Sequence, residues 1–474
     1  MPDIIASSSD SSVRYVDRYQ AADKIYTRRV KGFYQRLRRY TGIPLLAAFL
    51  LIPWIQIDNR PAMLFDLSAQ KFHIFWMTFW PQDGILLAWL LMIAAFLLFT
   101  VTVLVGRVWC GFTCPQTVWT LMYIWAEDKC EGDRNQRIKL DQQPWSLDKQ
   151  GFNKLWRKSA KHSIWLLIAL VTGLTFVGYF YGIRELVVDF ATLKASGETY
   201  FWVAFFLLFT YLNAGWLREQ VCKYMCPYAR FQSVMYDDHT MLVTYDHLRG
   251  ENRGPRKASS DYQSQGLGDC IDCNWCIQVC PVDIDIRDGL QAECIDCGLC
   301  IDACDNVMDK MGYARGLIRF TTQDIINGGK KHIWRPRFIG YLLSSVIITG
   351  LFIGMTASRT PLSVDVVRDR GSHLFHLANQ RVENVYTVKI NNMDRGQQSY
   401  QISLEGNPAY VFKGMRKVVL EESEVLAVPI RVSIPRDKVE RTNDTFSVVV
   451  TSLQQPNISA QQITRFLAPL PGTD

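Results

Sequence analysis

Five apolar stretches set the strongest limit on what this chain can fold into. Residues 42–58, 85–106, 163–182, 199–216 and 338–356 are runs such as ILLAWLLMIAAFLLFTVTVLVG, each near the roughly 17–25 residues that a helix needs to cross a bilayer. Single runs of this kind also occur as buried helices of large soluble proteins, but five rarely occur together there. The composition, 49% hydrophobic and 20% charged, is therefore not mixed evenly but segregated into apolar spans and charged connections. The first stretch, MPDIIASSSDSSVRYVDRYQ, is polar and lacks the basic-then-apolar layout of a cleaved signal, so it is expected to stay on the protein.

Lys and Arg in the connections orient the spans. Residues 1–41 carry nine and 107–161 carry ten, whereas 58–84 carry only Arg60 and Lys71 and 183–198 only Arg184 and Lys194. Rich segments lie on the cytoplasmic face. The N-terminal segment, 107–162 and 217–337 are thus expected inside, and the segment after 357 outside. The formal charge of +7 follows from this arrangement and from attraction to anionic lipid, and calls for no nucleic acid.

All 13 cysteines lie between Cys110 and Cys304, and none in the outer segment. A disulfide scaffold would show the opposite distribution. Eight of them form two runs, DCIDCNWCIQVCP and ECIDCGLCIDACD, each C-x2-C-x2-C-x3-C. In that pattern three close thiolates wrap one [4Fe-4S] cluster and the fourth crosses to its neighbour. The spacing therefore assigns Cys270, Cys273, Cys276 and Cys304 to one cluster, and Cys294, Cys297, Cys300 and Cys280 to the other. Zinc would call for C-x2-C pairs separated by a longer insert. Proline follows Cys280 but Asp305 follows Cys304, a departure that bears on the turn and leaves the ligand count intact.

A second pattern, Cys-x-x-x-Cys-Pro, occurs as CGFTCP from Cys110 and CKYMCP from Cys222. Each follows an outside-to-inside span, so both emerge on the face that carries the clusters. Residues four apart share a helical face, and each proline should kink or restart its helix. The four thiols Cys110, Cys114, Cys222 and Cys226 are accordingly candidate ligands of one soft ion, with Cu(I) first. The alternative is buried free cysteine acting as a small apolar side chain, and Cys130, without a partner, is read that way. Glu127, Asp128, Asp237, Asp238 and His239 read as interfacial, and 245–257 as a solvated basic connector. There is no phosphate-cradling glycine loop and no nucleophile triad. Beyond 357, alternating runs such as VYTVKINN, EVLAVPIRVSI and TFSVVVTSL, separated by turn residues, read as a β-sandwich.

The motifs RVWCGFTCPQTVW, CKYMCPYARFQSVMYD and YDHLRGENRG, with the paired ferredoxin runs, resemble the FixG/RdxA/CcoG cytochrome oxidase accessory proteins over nearly the whole chain. The resemblance implies a mixed fold: a polytopic α-helical membrane domain of about five spans, an inserted bacterial two-cluster ferredoxin module, and an immunoglobulin-like β-sandwich outside. The expected divisions are a basic segment 1–41, a membrane domain 42–237, an iron–sulfur domain 238–337, a last span 338–356 and an outer domain 357–474. The resemblance further implies an inner-membrane cupric reductase that supplies Cu(I) for assembly of the cbb-type haem-copper oxidase, with oxidase subunits and copper-delivery factors as partners. In that scheme copper is reduced at Cys110, Cys114, Cys222 and Cys226. A quinol-oxidising relay and a non-catalytic assembly scaffold are the competing readings. Electron donor and homo-oligomerisation stay open.

Overall fold

The computed structural model describes residues 24–469 except 58–59, 81–82, 147, 263, 331, 359, 370–375, 379, 395 and 422–423, together with a short strand pair at Ile4–Ile5 and Arg14–Tyr15. The rest of the polar N-terminal stretch lies outside the described residues. The chain divides into two compact units, 1–76 with 87–349, and 77–86 with 350–474.

Among the described residues four helices are long and apolar enough to cross a membrane. They are α2 (Gly84–Val105), α6 (Lys149–Tyr181), α8 (Gly197–Thr210) with its continuation to Leu217, and α14 (Pro336–Ala357). The run expected at 42–58 falls on the end of α1 (Phe33–Leu51) and the short turn after it, Ile52–Trp54. Its first turns carry Arg36, Arg38 and Arg39, so it lacks the apolar length of the others. Its contacts nonetheless run the length of the bundle. At its start the amides of Tyr34 and Gln35 meet the Asp302 carboxylate in the cysteine-rich module. At its end and in the turn after it, the Phe49 and Trp54 carbonyls accept from Tyr179 at the far end of α6 and from Arg184 just beyond it.

Helix α6 begins at Lys149, well before the apolar run at 163, because a folded layer of charge sits against its first turns. Beyond α2 come α3 (Val108–Phe112), α4 (Pro115–Cys130) and α5 (Arg134–Gln142). Asp133 caps α5 in a capping box with Gln136, satisfying backbone donors at the helix start. Glu127 of α4 is fully buried between Arg137 of α5 and Arg218 after α8, at 3.0 and 2.7 Å. Glu131 pairs with Lys158 and Lys161 of α6, each at 3.0 Å. Glu127 is thus an internal ion pair and not an interfacial side chain, since a buried carboxylate is retained only where cations compensate it. Asp237 is likewise paired, with Arg335, and His239 with Asp324. α7 (Ile183–Ala191) closes the connection from α6 to α8.

After α9 (Pro227–Met235) the strand Leu242–Tyr245 pairs antiparallel with Ile318–Thr321, and the cysteine-rich module is threaded between them. It contains α10 (His247–Gly250), α11 (Trp275–Gln278) and α12 (Leu299–Met311), with α13 (Gln323–Ile326) following. The stretch 245–257 is folded onto this module. Arg249 binds Asp269, and Arg256 donates to Tyr313 and the Gly268 carbonyl. Arg249 and Arg256 are spent on internal acceptors, so the stretch packs on the module instead of standing off as a solvated connector, although Lys257 stays exposed.

The second unit carries two antiparallel sheets. One orders strands 362–368, 381–392, 425–435 and 411–413, with 376–378 also on 381–392; the other orders 417–420, 398–405, 443–452 and 459–467. Alternate residues of the central strands point inward, so that Tyr386, Val388, Ile430 and Val432 of one sheet and Ile402, Val448 and Val450 of the other form the core, as period-two alternation requires of facing sheets. The strand Ser459–Leu467 escapes the sequence pattern because Gln462 and Thr464 share the face of the buried Phe466 while Ile463 is exposed on the other, so no alternation of β-formers is legible.

Candidate functional site

The eight ferredoxin-type cysteines gather around two cavities. Cys270, Cys273, Cys276 and Cys304 line one. Cys280, Cys294, Cys297 and Cys300 line the other, with Cys276 in the wall between them. Among the described residues no three Cys, His, Asp or Glu side chains come close enough to hold a single ion. Two abutting sets of four thiols, each around its own cavity, suit a pair of cubanes held by four thiolates each. Burial pushes the Cys276 thiol up to about 12 and Cys280 to about 11. Such groups are deprotonated at neutral pH only beside a cationic core. Asp305 leaves α12 uninterrupted through Met311 and accepts the Gly316 amide at 3.0 Å, whereas Pro281 follows Cys280 in a loop.

Both membrane-edge motifs end one helix and start another. Cys110 lies in α3, while Cys114 caps α4 with Pro115 as its first residue. Cys222 lies in a π-helical turn, Val221–Met225, and Cys226 caps α9 before Pro227. The expected restart is therefore present. The expected sharing of one α-helical face is not, because the first segment stops at Phe112 and the second is wound with Cys226 N bonded to the Val221 carbonyl. Wider winding of this kind is frequent at functional sites. The helix end just before the second motif is fixed to the first by Gln116, whose side-chain amide donates to the Asn213 and Arg218 carbonyls at 2.8 and 3.2 Å. Cys110 and Gln232 of α9 meet at 3.6 Å. Burial pushes the Cys110 thiol up to about 12. The two motifs thus lie in one locality, joined through Gln116 and Gln232, and among the described residues their thiols form no closed single-ion shell.

That locality touches the second cluster cavity. A β-carbon on Gly111 would lie 2.7 Å from the Ile295 carbonyl oxygen and 2.9 Å from the Cys297 Cα, so only glycine lets the first motif seat on the loop Cys294–Cys297. Arg107, 3% exposed, ties three pieces together. Its amide donates to Asp296 at 2.9 Å, and its guanidinium reaches the Cys294 and Ala229 carbonyls. Asp296 also takes the Val243 amide at 3.1 Å and the Cys294 thiol at 3.6 Å; burial pushes its carboxyl up to about 6 against the pull of those amides. Arg107 and Asp296 stand inside quoted motifs but carry no spacing signal of their own. Arg38, which donates to the Gly111 carbonyl at 3.0 Å, was hidden among the arginines that orient the chain. Cys130 closes α4.

Comparison with known proteins agrees with this construction. A model described as a 4Fe-4S dicluster domain matches residues 217–323, and one described as an IG-like fold at the C-terminal of FixG matches 352–469. The nitrogen fixation protein FixG of Rhizobium meliloti is 34% identical, over 96% of this chain and 94% of its own. The chain belongs to the FixG/RdxA family. Protein RdxB and protein RdxA of Cereibacter sphaeroides are 38% and 35% identical, over 83% and 87% of this chain and 86% and 87% of theirs. This FixG/RdxA member is therefore a membrane protein with a dicluster iron–sulfur domain and an immunoglobulin-like C-terminal domain, of oxidoreductase type.

Proposed function

We propose that the chain reduces Cu(II) to Cu(I) at the cytoplasmic edge of the inner membrane, for assembly of the cbb-type haem-copper oxidase. The observation that carries this reading is the seating of Gly111, between Cys110 and Cys114, on the loop that holds Cys294 and Cys297. When bound, the clusters supply single electrons, and Cu(II) takes one electron to become Cu(I). Cys110, Cys114, Cys222 and Cys226 receive the ion, and soft thiolates favour its reduced form. Because they form no closed shell, ligation requires the motif turns to tighten around the ion. Arg107 keeps both motifs registered on the Cys294 loop. The basic segment before α1 and residues 217–337 face the cytoplasm, and the C-terminal unit faces the periplasm, where oxidase subunits and copper-delivery factors are its partners.

Replacing Cys110 and Cys226 by Ser should abolish copper reduction by the dithionite-reduced protein while iron content stays at the wild-type level. Unchanged reduction would remove copper from this site. One observation favours a second reading, in which a quinol is oxidised. A large, mainly apolar cleft bounded by Ile43, Leu121, Ile168 and Cys222 also has Val282 and Ile295 of the cluster loops on its wall. Rapid reduction of the iron centres by a short-chain quinol, with no copper present, would support it.

A further inference from the structure

Arg38 belongs neither to a cysteine motif nor to the ferredoxin module, yet it stands where they meet. Helix α1 is clamped to the cysteine-rich module at its start. The Asp302 carboxylate accepts the Tyr34 and Gln35 amides at 3.1 and 2.8 Å, and the Asn306 side chain donates to the Lys31 carbonyl at 2.9 Å. One turn further on, Arg38 is 2% exposed. Its Nε holds the Gly111 carbonyl at 3.0 Å. Its Nη1 is buried with no hydrogen-bond partner among the described residues. The Gly111 that it holds is seated on the loop of the second cluster cavity, where a β-carbon would lie 2.9 Å from the Cys297 Cα, and Cys297 and Cys280 both line that cavity.

An uncompensated buried cation costs several kcal/mol, and no carboxylate is paired with this one in the described residues. A cluster held by Cys280, Cys294, Cys297 and Cys300 would bring the compensating negative charge, through its thiolates and sulfides. We propose that Arg38 is the positioning residue that sets the reduction potential of that cluster and ties it to the first membrane-edge motif. Net charge and hydrogen bonds to the sulfurs are what tune such centres. Reduction adds one negative charge, so a fixed guanidinium stabilises the reduced form more than the oxidised one and raises the potential. The same side chain, through Gly111, keeps Cys110 seated against the loop from which the electron must leave. No Cβ-bearing residue at 111 would keep that seat.

The inference rests on the reading that eight cysteines hold two clusters, which the wild-type protein tests separately by its iron content and by two reductive waves in an EPR-monitored titration with dithionite. Fewer than two waves would sink that reading. With both present, Arg38→Gln is expected to lower one wave by at least 59 mV, a tenfold change in a one-electron equilibrium, and to leave the other in place. Two unmoved waves, or two moved equally, overturn the proposal. Arg38→Lys keeps the charge but not the Nε donor that holds the Gly111 carbonyl, and is expected to shift the same wave by less. Where Arg38→Gln does not load iron, Arg38→Lys decides, and an unshifted wave in it overturns the proposal.

Discussion

Gly111 shows how much one missing methyl group can control. The atoms that its β-carbon would meet are backbone atoms of the Cys294–Cys297 loop, at 2.7, 2.9 and 3.1 Å, and backbone cannot swing aside as a long side chain can. Arg38 and Thr117 fix the same turn from its own side, holding the Gly111 and Cys110 carbonyls at 3.0 and 2.6 Å. Gly111→Ala is therefore expected to cost about 1–3 kcal/mol, the usual penalty of overpacking a close contact, and to slow copper reduction while both clusters remain. Iron analysis beside a copper-reduction assay on the same preparation checks this; a variant as active as the wild type would show that the contact does not matter to the reaction.

At the scale of elements, α4, α5 and α6 are joined by charge as much as by apolar packing. Tyr123, Ala126 and Trp165 form a small core between α4 and α6, and directly beside it Glu127 is enclosed by Arg137 and Arg218. Burial pushes the Glu127 carboxyl up, but Arg218, Arg137 and Lys161 outweigh it and hold the group below the ordinary glutamate range. A depressed folded-state value means that this carboxylate stabilises the fold above its unfolded pKa, and that the contribution is lost as pH falls through the lower folded one. Glu127→Gln leaves two buried cations short of a partner and is expected to cost about 3–5 kcal/mol at neutral pH. The gap between variant and wild type should narrow on acidification below the normal glutamate range. Thermal unfolding in detergent across that pH interval measures both effects, and a gap independent of pH would show that Glu127 is not ionised in the native protein.

For the whole molecule, the cysteines and the outer sheets are separate problems in stability. All 13 cysteines precede residue 305, and the core of the second unit is built from Tyr386, Ile430, Phe446 and their neighbours without any metal-ligating thiol. Stripping iron with a chelator under reducing conditions should unfold the segment 268–311, because metal binding there is folding energy. The strands 381–392, 425–435 and 443–452 should keep their amide protection. Hydrogen exchange followed by mass spectrometry reads both at once; loss of protection in those strands would show that the second unit depends on the clusters. What the sequence by itself determined was whatever repeats over short distances: four of the five apolar spans, the two cysteine runs of the dicluster domain, and most strands of the sandwich. Each rests on a period or spacing that backbone geometry enforces locally. Only the tertiary structure decided that α1 runs the length of the bundle despite its arginines, that Glu127 is interior, and that Arg38, Gly111 and Asp296 meet where the first motif touches the Cys294 loop. Those contacts join residues far apart in the chain, and a long-range meeting leaves no period in the sequence from which it could be read.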